Sequence, residues 1–155
     1  MNCSFVTRCL CVGPNPTTES EMEELESLGI TAVLSVQSDE DVSGRGPDWE
    51  GSTAEKQGLT YRNVPVTDFD LLNLVERLPA CVRALQALLS AGHRVYVHCT
   101  AGVSRSPTVA AAFLHWCERL PLETALKQVR EARPGCCPDR EVIRRARWIP
   151  ECERE

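Results

Sequence analysis

The residues best placed to do chemistry together are a thiol and a guanidinium, Cys99 and Arg105, which bracket the short loop Thr100-Ala101-Gly102-Val103-Ser104. An apolar run, Val95-Tyr-Val-His98, leads into that loop, and an Ala-rich run leads out of it from Ser106-Pro107. A loop that joins a strand to a helix can turn successive backbone N–H groups toward one point, where the positive N-terminal end of the helix also acts. A phosphate fits there. Arg105 is placed to hold two phosphate oxygens with its planar fork, which a lysine does only as a point charge. The same surroundings lower a cysteine pKa from about 8.5 by one to several units, which makes Cys99 a thiolate nucleophile. Gly102 permits the sharp turn, and Pro107 suits a first helical turn. His98 is placed to orient the loop, and Ser106 to donate its hydroxyl to the sulfur as the thiolate re-forms. Cys-x5-Arg alone says little in a chain with nine cysteines; the flanking strand and helix give it weight. A packing thiol, the usual fate of a free cysteine, would leave an arginine in the same loop unexplained.

These groups need elements to hold them. Phe5 to Val12 alternates loosely up to Gly13-Pro14 and reads as a strand. Glu19 to Leu28 reads as a helix, with Thr17 or Thr18 as cap and Gly29 as stop. Thr31 to Val36 is a β-branched run suited to a buried strand, and Thr60 to Val66 is a further strand. Between them, Gln37 to Thr53 is polar and rich in Gly, Ser and Asp, which predicts a long loop with Trp49 as its one aromatic residue. After Asp68 comes a helix with Leu78, Val82, Leu85, Leu88 and Leu89 at a 3.6-residue period, ended by Gly92. Arg94 to His98 is the last strand, and Ser106 to Arg119 is a helix apolar on most sides, hence internal. Two more helices, about Leu122 to Ala132 and Asp139 to Trp148, flank the turn Arg133-Pro-Gly135. The alternation predicts one α/β domain over residues 1–155, with a mostly parallel central sheet flanked by helices. Ligands of such sheets gather at the carboxyl ends of strands, where Cys99 stands.

Composition narrows the field. With 155 residues, 43% hydrophobic and 25% charged, one globular domain is expected. The net charge of -5 disfavours nucleic acid and anionic membranes as partners. No apolar run reaches the length of a membrane span and MNCSFVTRCL has no long apolar stretch, so a cytoplasmic address is expected. An odd cysteine count favours reduced thiols over a disulfide framework. Cys9-x-Cys11 and Cys136-Cys137 lack zinc-site spacing, so neither a metal nor another cofactor is expected. His93 and His115 read as packing or surface residues, and Arg140 to Arg147 as the solvated face of an amphipathic helix.

The run HCTAGVSRSP, His98 to Pro107, resembles the dual-specificity phosphatase signature His-Cys-x-x-Gly-x-x-Arg-Ser/Thr. That resemblance implies a metal-free, two-step hydrolysis through phosphocysteine, with an aspartic acid some thirty residues upstream to protonate the leaving oxygen. In Val64-Pro-Val-Thr-Asp68-Phe69-Asp70 two carboxylates compete, and spacing does not choose. Asp68-Phe69-Asp70, Arg77-Leu-Pro79, RVYVHCTAG and Ala132-Arg-Pro-Gly-Cys-Cys-Pro138 together resemble the plant phosphoglucan phosphatases. This second resemblance implies Asp68 as the acid, with Phe69 and Trp49 as rings that stack on sugar. Ser104 and Ser106 stand where the plant enzymes carry Gly and Ala, and match ordinary dual-specificity phosphatases instead. Two substrate classes are therefore carried: phosphorylated glucan, and phosphoprotein bearing phosphotyrosine, phosphoserine or phosphothreonine. Cys99, Arg105 and Asp68 together disfavour a catalytically dead phosphate binder and a rhodanese-like sulfur transferase. Cys81 and Cys137 are candidate partners for a protective disulfide with Cys99.

Overall fold

The computed structural model describes residues 1–42 and 48–150. Four-residue runs with every member buried form its centre: β2 (Leu10–Gly13), β3 (Ala32–Ser35) and β5 (Val95–His98). Short strands flank them, β1 (Ser4–Phe5) and β4 (Thr60–Asn63), in the order β1-β2-β5-β3-β4. Among the described residues only the β1–β2 hairpin is antiparallel. Alternation along the strands sorts side chains to two faces. Leu10, Val12, Leu34, Val95 and Val97 face one side, against α3 (Leu71–Ser90), α4 (Arg105–Trp116), α5 (Leu122–Ala132) and α6 (Arg140–Arg145). Cys11, Val33 and Tyr96 face the other, against Met22 and Leu25 of α1 (Glu19–Ser27) and Ala54 of α2 (Trp49–Lys56). This is the expected α/β architecture. Register then makes the site: Gly13, His98 and Ser35 lie side by side, so the chain leaves three neighbouring strands at one level.

Four local expectations are corrected. The strand predicted over Phe5 to Val12 is a hairpin, because the Thr7 hydroxyl accepts the N–H groups of Cys9 (3.2 Å) and Leu10 (3.1 Å) and turns the chain. The loop predicted over Gln37 to Thr53 ends at Asp48, where α2 begins; its residues 43–47 lie outside the described ones. Packing, not propensity, makes α2: Ala54 is fully buried, and a Cβ on Gly51 would lie 3.1 Å from the Tyr61 ring. The central helix stops at Trp116 because Arg119 has φ 61°, outside helical backbone. The last helix stops at Arg145; Trp148, beyond it, stacks on Trp116 with ring centroids 5.0 Å apart. Among the described residues no helix is long and apolar enough to cross a membrane.

Candidate active site

The loop from Cys99 to Arg105 is shaped by what its carbonyls touch. His98 Nδ1 lies 2.9 Å from the Cys99 oxygen, and Asn15 N–H donates to that of Thr100 at 3.1 Å. Arg133 donates to Ala101 (3.4 Å) and Gly102 (2.7 Å). Cys137 N–H donates to Val103 at 2.6 Å, and the Thr108 hydroxyl to Ser104 at 2.7 Å. Six consecutive carbonyls are thus tied outward, and since each peptide is planar the following N–H groups turn inward. That is an anion cradle. Gly102 closes it, with φ +68° and a backbone so near Gly13 that a Cβ would meet the Gly13 carbonyl carbon at 2.5 Å.

Cys99 stands at its floor, 3% exposed. Its sulfur accepts the Gly102 N–H at 3.3 Å and lies 3.3 Å from the Ser106 hydroxyl. Arg105 opens α4 and is buried, with Nη1 donating to Val66 O at 2.8 Å. Its Nε, also buried, has no partner among the described residues, which leaves a donor for an oxyanion. Asp41, in the turn after β3, grips the guanidinium through two 2.9 Å bonds, while the Thr100 hydroxyl donates to Asp41 at 2.6 Å. Burial pushes the Asp41 carboxyl up, but hydrogen bonds from Arg105, Thr100 and the Ser38 N–H outweigh it and hold it well below the usual carboxylate range. For Arg105, burial lowers the pKa and the Asp41 bonds raise it, with a net rise.

The two competing aspartates part company. Asp70 caps α3, accepting the Asn73 N–H at 3.0 Å, whereas Asp68, 36% exposed, has Oδ2 3.2 Å from Arg105 Nη2. Phe69 between them is 99% exposed with φ 59°. Trp49, half-buried, opens α2 one residue before Glu50, whose carboxylate reaches His98 Nε2. The structure therefore brings His98, the loop and Ser106 to Cys99, and Asp68 to Arg105. Cys81 and Cys137 are free thiols, and no cluster of metal-ligating side chains occurs among the described residues. A thiol under inward N–H groups, with a guanidinium at one side and a carboxylate at the rim, is equipped to take a phosphoryl group and pass it to water.

The profile of the dual specificity phosphatase catalytic domain matches residues 10–148. The chain belongs to this family. As a family member it is 35% identical over 150 residues to phosphoglucan phosphatase LSF1, chloroplastic, of Arabidopsis thaliana, covering 96% of this chain and 25% of that protein. It is 31% identical over 152 residues to phosphoglucan phosphatase DSP4, amyloplastic, of Castanea sativa, covering 94% and 40% respectively. The chain thus spans well under half of either relative. Among solved structures, Tk-PTP in its active form superposes with a TM-score of 0.72 at 26% identity, over 92% of this chain and 91% of that one. The resemblance to phosphoglucan phosphatases is confirmed. The cytoplasmic address is overturned by the chloroplastic and amyloplastic relatives; it rested on a missing apolar leader, and plastid transit peptides are not apolar.

Sequence reasoning missed three residues of this dual-specificity phosphatase domain. Asp41 is one acid in the run Ser38-Asp-Glu-Asp41, and its only prior sign was a polar turn following a buried strand. Arg133 read as part of a turn, yet its buried side chain straps the loop at Ala101 and Gly102. Glu50 was hidden in the expected loop.

Proposed function

We propose that this domain is a cysteine-dependent phosphomonoester hydrolase that works through a phosphocysteine intermediate and acts on phosphorylated glucan. The observation that carries the hydrolase is Cys99 Sγ at the floor of a loop whose six carbonyls are tied outward, beside a buried Arg105 with an unpartnered Nε. In the first step the Cys99 sulfur attacks phosphorus as the bond to the leaving oxygen breaks, and Asp68 gives that oxygen its proton. Arg105 and the inward N–H groups hold the three non-bridging oxygens as charge shifts among them. In the second step water attacks phosphorus, Asp68 takes its proton, and the sulfur departs as a thiolate that accepts a hydrogen bond from Ser106.

Glucan is favoured by the two relatives named as phosphoglucan phosphatases and by Phe69, a fully exposed ring next to Asp68 that can lie against the C–H face of a sugar. Trp49 on α2 is the second candidate ring. The reading as a dual-specificity protein phosphatase draws on Ser104 and Ser106, which match ordinary members of the family. Neither reading calls for nucleic acid or a membrane, which the net charge of -5 also disfavours. Phosphate release from phosphorylated amylopectin, phosphotyrosine peptides and a small aryl phosphate is the test, with Cys99→Ser as the blank. Glucan preferred, with Phe69→Ala lowering only the glucan rate, supports the proposal; peptides preferred moves the substrate to protein; Cys99→Ser turning over removes the mechanism.

A further inference from the structure

His98 is fully buried at the end of β5, and both of its ring nitrogens face oxygen. Nδ1 lies 2.9 Å from the Cys99 carbonyl, which can only accept, so Nδ1 carries a hydrogen. Nε2 meets the Glu50 carboxylate, itself buried in the first turn of α2, whose other oxygen accepts from Tyr61 OH at 3.3 Å. A carboxylate at Glu50 can only accept from Nε2, which calls for a second ring hydrogen. The pair is then an imidazolium and a carboxylate held together out of water. The positive ring lies nearer Cys99 than the negative carboxylate does, because it is bonded to the Cys99 carbonyl itself.

We propose that Glu50 is a positioning residue of this site: it holds His98 doubly protonated, so that a positive ring is bonded to the nucleophile's own carbonyl and favours the thiolate form of Cys99. This rests on the reading of Cys99 as nucleophile. Among the described residues, Tyr61 on β4 bonds to Glu50 and the Tyr96 ring on β5 stacks on His98 at 5.8 Å, while Arg105 pairs with Asp41 and Asp68 on the loop side. None of them supplies a second cation at the ring. Glu50 also couples chemistry to α2, the helix that Trp49 opens, so a shift of that helix would be felt at the thiol.

Glu50→Gln keeps the shape and can donate its amide to a neutral Nε2, leaving the ring without charge. The expected result is an acid limb of kcat/KM, measured with a small aryl phosphate, displaced upward by about one pH unit: a deficit that approaches about tenfold on the acid side of the wild-type midpoint and closes on the alkaline side. The pH midpoint for alkylation of Cys99 by iodoacetamide should move by the same amount. A role in packing alone would lower activity equally at every pH, and superimposable profiles would overturn the proposal. Alkylation reads the thiol even where no phosphate is released, so failure of the phosphatase reading is seen separately. Should the variant not fold, the wild-type chain labelled with 15N at histidine decides: at pH 7 both His98 ring nitrogens should resonate as N–H, and a neutral ring would overturn the proposal.

Discussion

Asp41→Asn tests whether the grip on Arg105 is as strong as its geometry. The wild-type carboxylate accepts from Ser38 N–H (2.8 Å), the Ser38 hydroxyl (3.0 Å), the Thr100 hydroxyl (2.6 Å) and two guanidinium nitrogens (2.9 Å each). Asparagine keeps one acceptor oxygen and turns an amide N–H2 against donors. Two charge-assisted hydrogen bonds at roughly 1.5 kcal/mol each give a loss of about 3 kcal/mol at pH 7, at the lower edge of what breaking a buried pair costs. For a domain of this size that is a fall in Tm of about 6–12 °C. The sign with pH follows from the lowered carboxyl: its contribution is complete above the unfolded-state value near 4 and is lost as pH falls toward the folded value. Each pH unit below about 4 therefore removes about 1.4 kcal/mol from the wild type and nothing comparable from the variant. Urea denaturation at pH 7, 5, 4 and 3 should show a gap that is constant down to pH 4 and about 1 kcal/mol narrower at pH 3. With Arg105 free to tilt, kcat/KM should fall about 100-fold. A variant that melts within about 2 °C of wild type, or a gap that does not narrow in acid, would refute the reasoning.

The paired aspartates should separate cleanly: Asp68→Ala should lower kcat about 100- to 1,000-fold with little change in KM, as for loss of a general acid. Asp70→Ala should cost about 1 kcal/mol of stability, as for loss of a helix cap, and leave kcat near wild type. Kinetics and denaturation on both variants check this, and an inverted pattern would move the acid to Asp70. Gly102→Ala should lose more than 2 kcal/mol and nearly all turnover, since its φ of +68° disfavours a side chain and a Cβ would collide with the Gly13 backbone. A Gly102→Ala protein with normal Tm and tungstate affinity would show that the loop and β2 can part.

Much of the site was legible because its signals are local. Cys99, Arg105 and the strand–loop–helix around them are contiguous, and the apolar run from Val95 marks a strand buried on both faces. What escaped is what the parallel sheet assembles. Nothing in Ser38-Asp-Glu-Asp41 distinguishes the acid that reaches Arg105, because the choice is made by β3 lying beside β5 in register. Glu50 escaped because α2 carries Gly51 and Ser52 and owes its existence to the surface formed by Met22, Leu25 and Tyr96. Arg133 escaped because its partners are backbone oxygens, which leave no pattern in side-chain spacing. The hairpin before Gly13 was read as one strand since a single hydroxyl, that of Thr7, decides the turn.

The donors that tie the loop's carbonyls come from the chain after β2, from β5, from α4, and from Arg133 and Cys137 on either side of the turn before α6. The loop from Cys99 to Arg105 is accordingly not a portable module. A synthetic decapeptide of sequence HCTAGVSRSP carries every atom of the cradle and none of the donors from elsewhere in the chain, and should show no measurable affinity for phosphate. Grafting the loop onto another strand–helix junction would require the junction's neighbours to travel with it. For this domain, an inventory of mutations that abolish turnover should reach beyond the loop itself, to residues such as Arg133 that hold its backbone from outside.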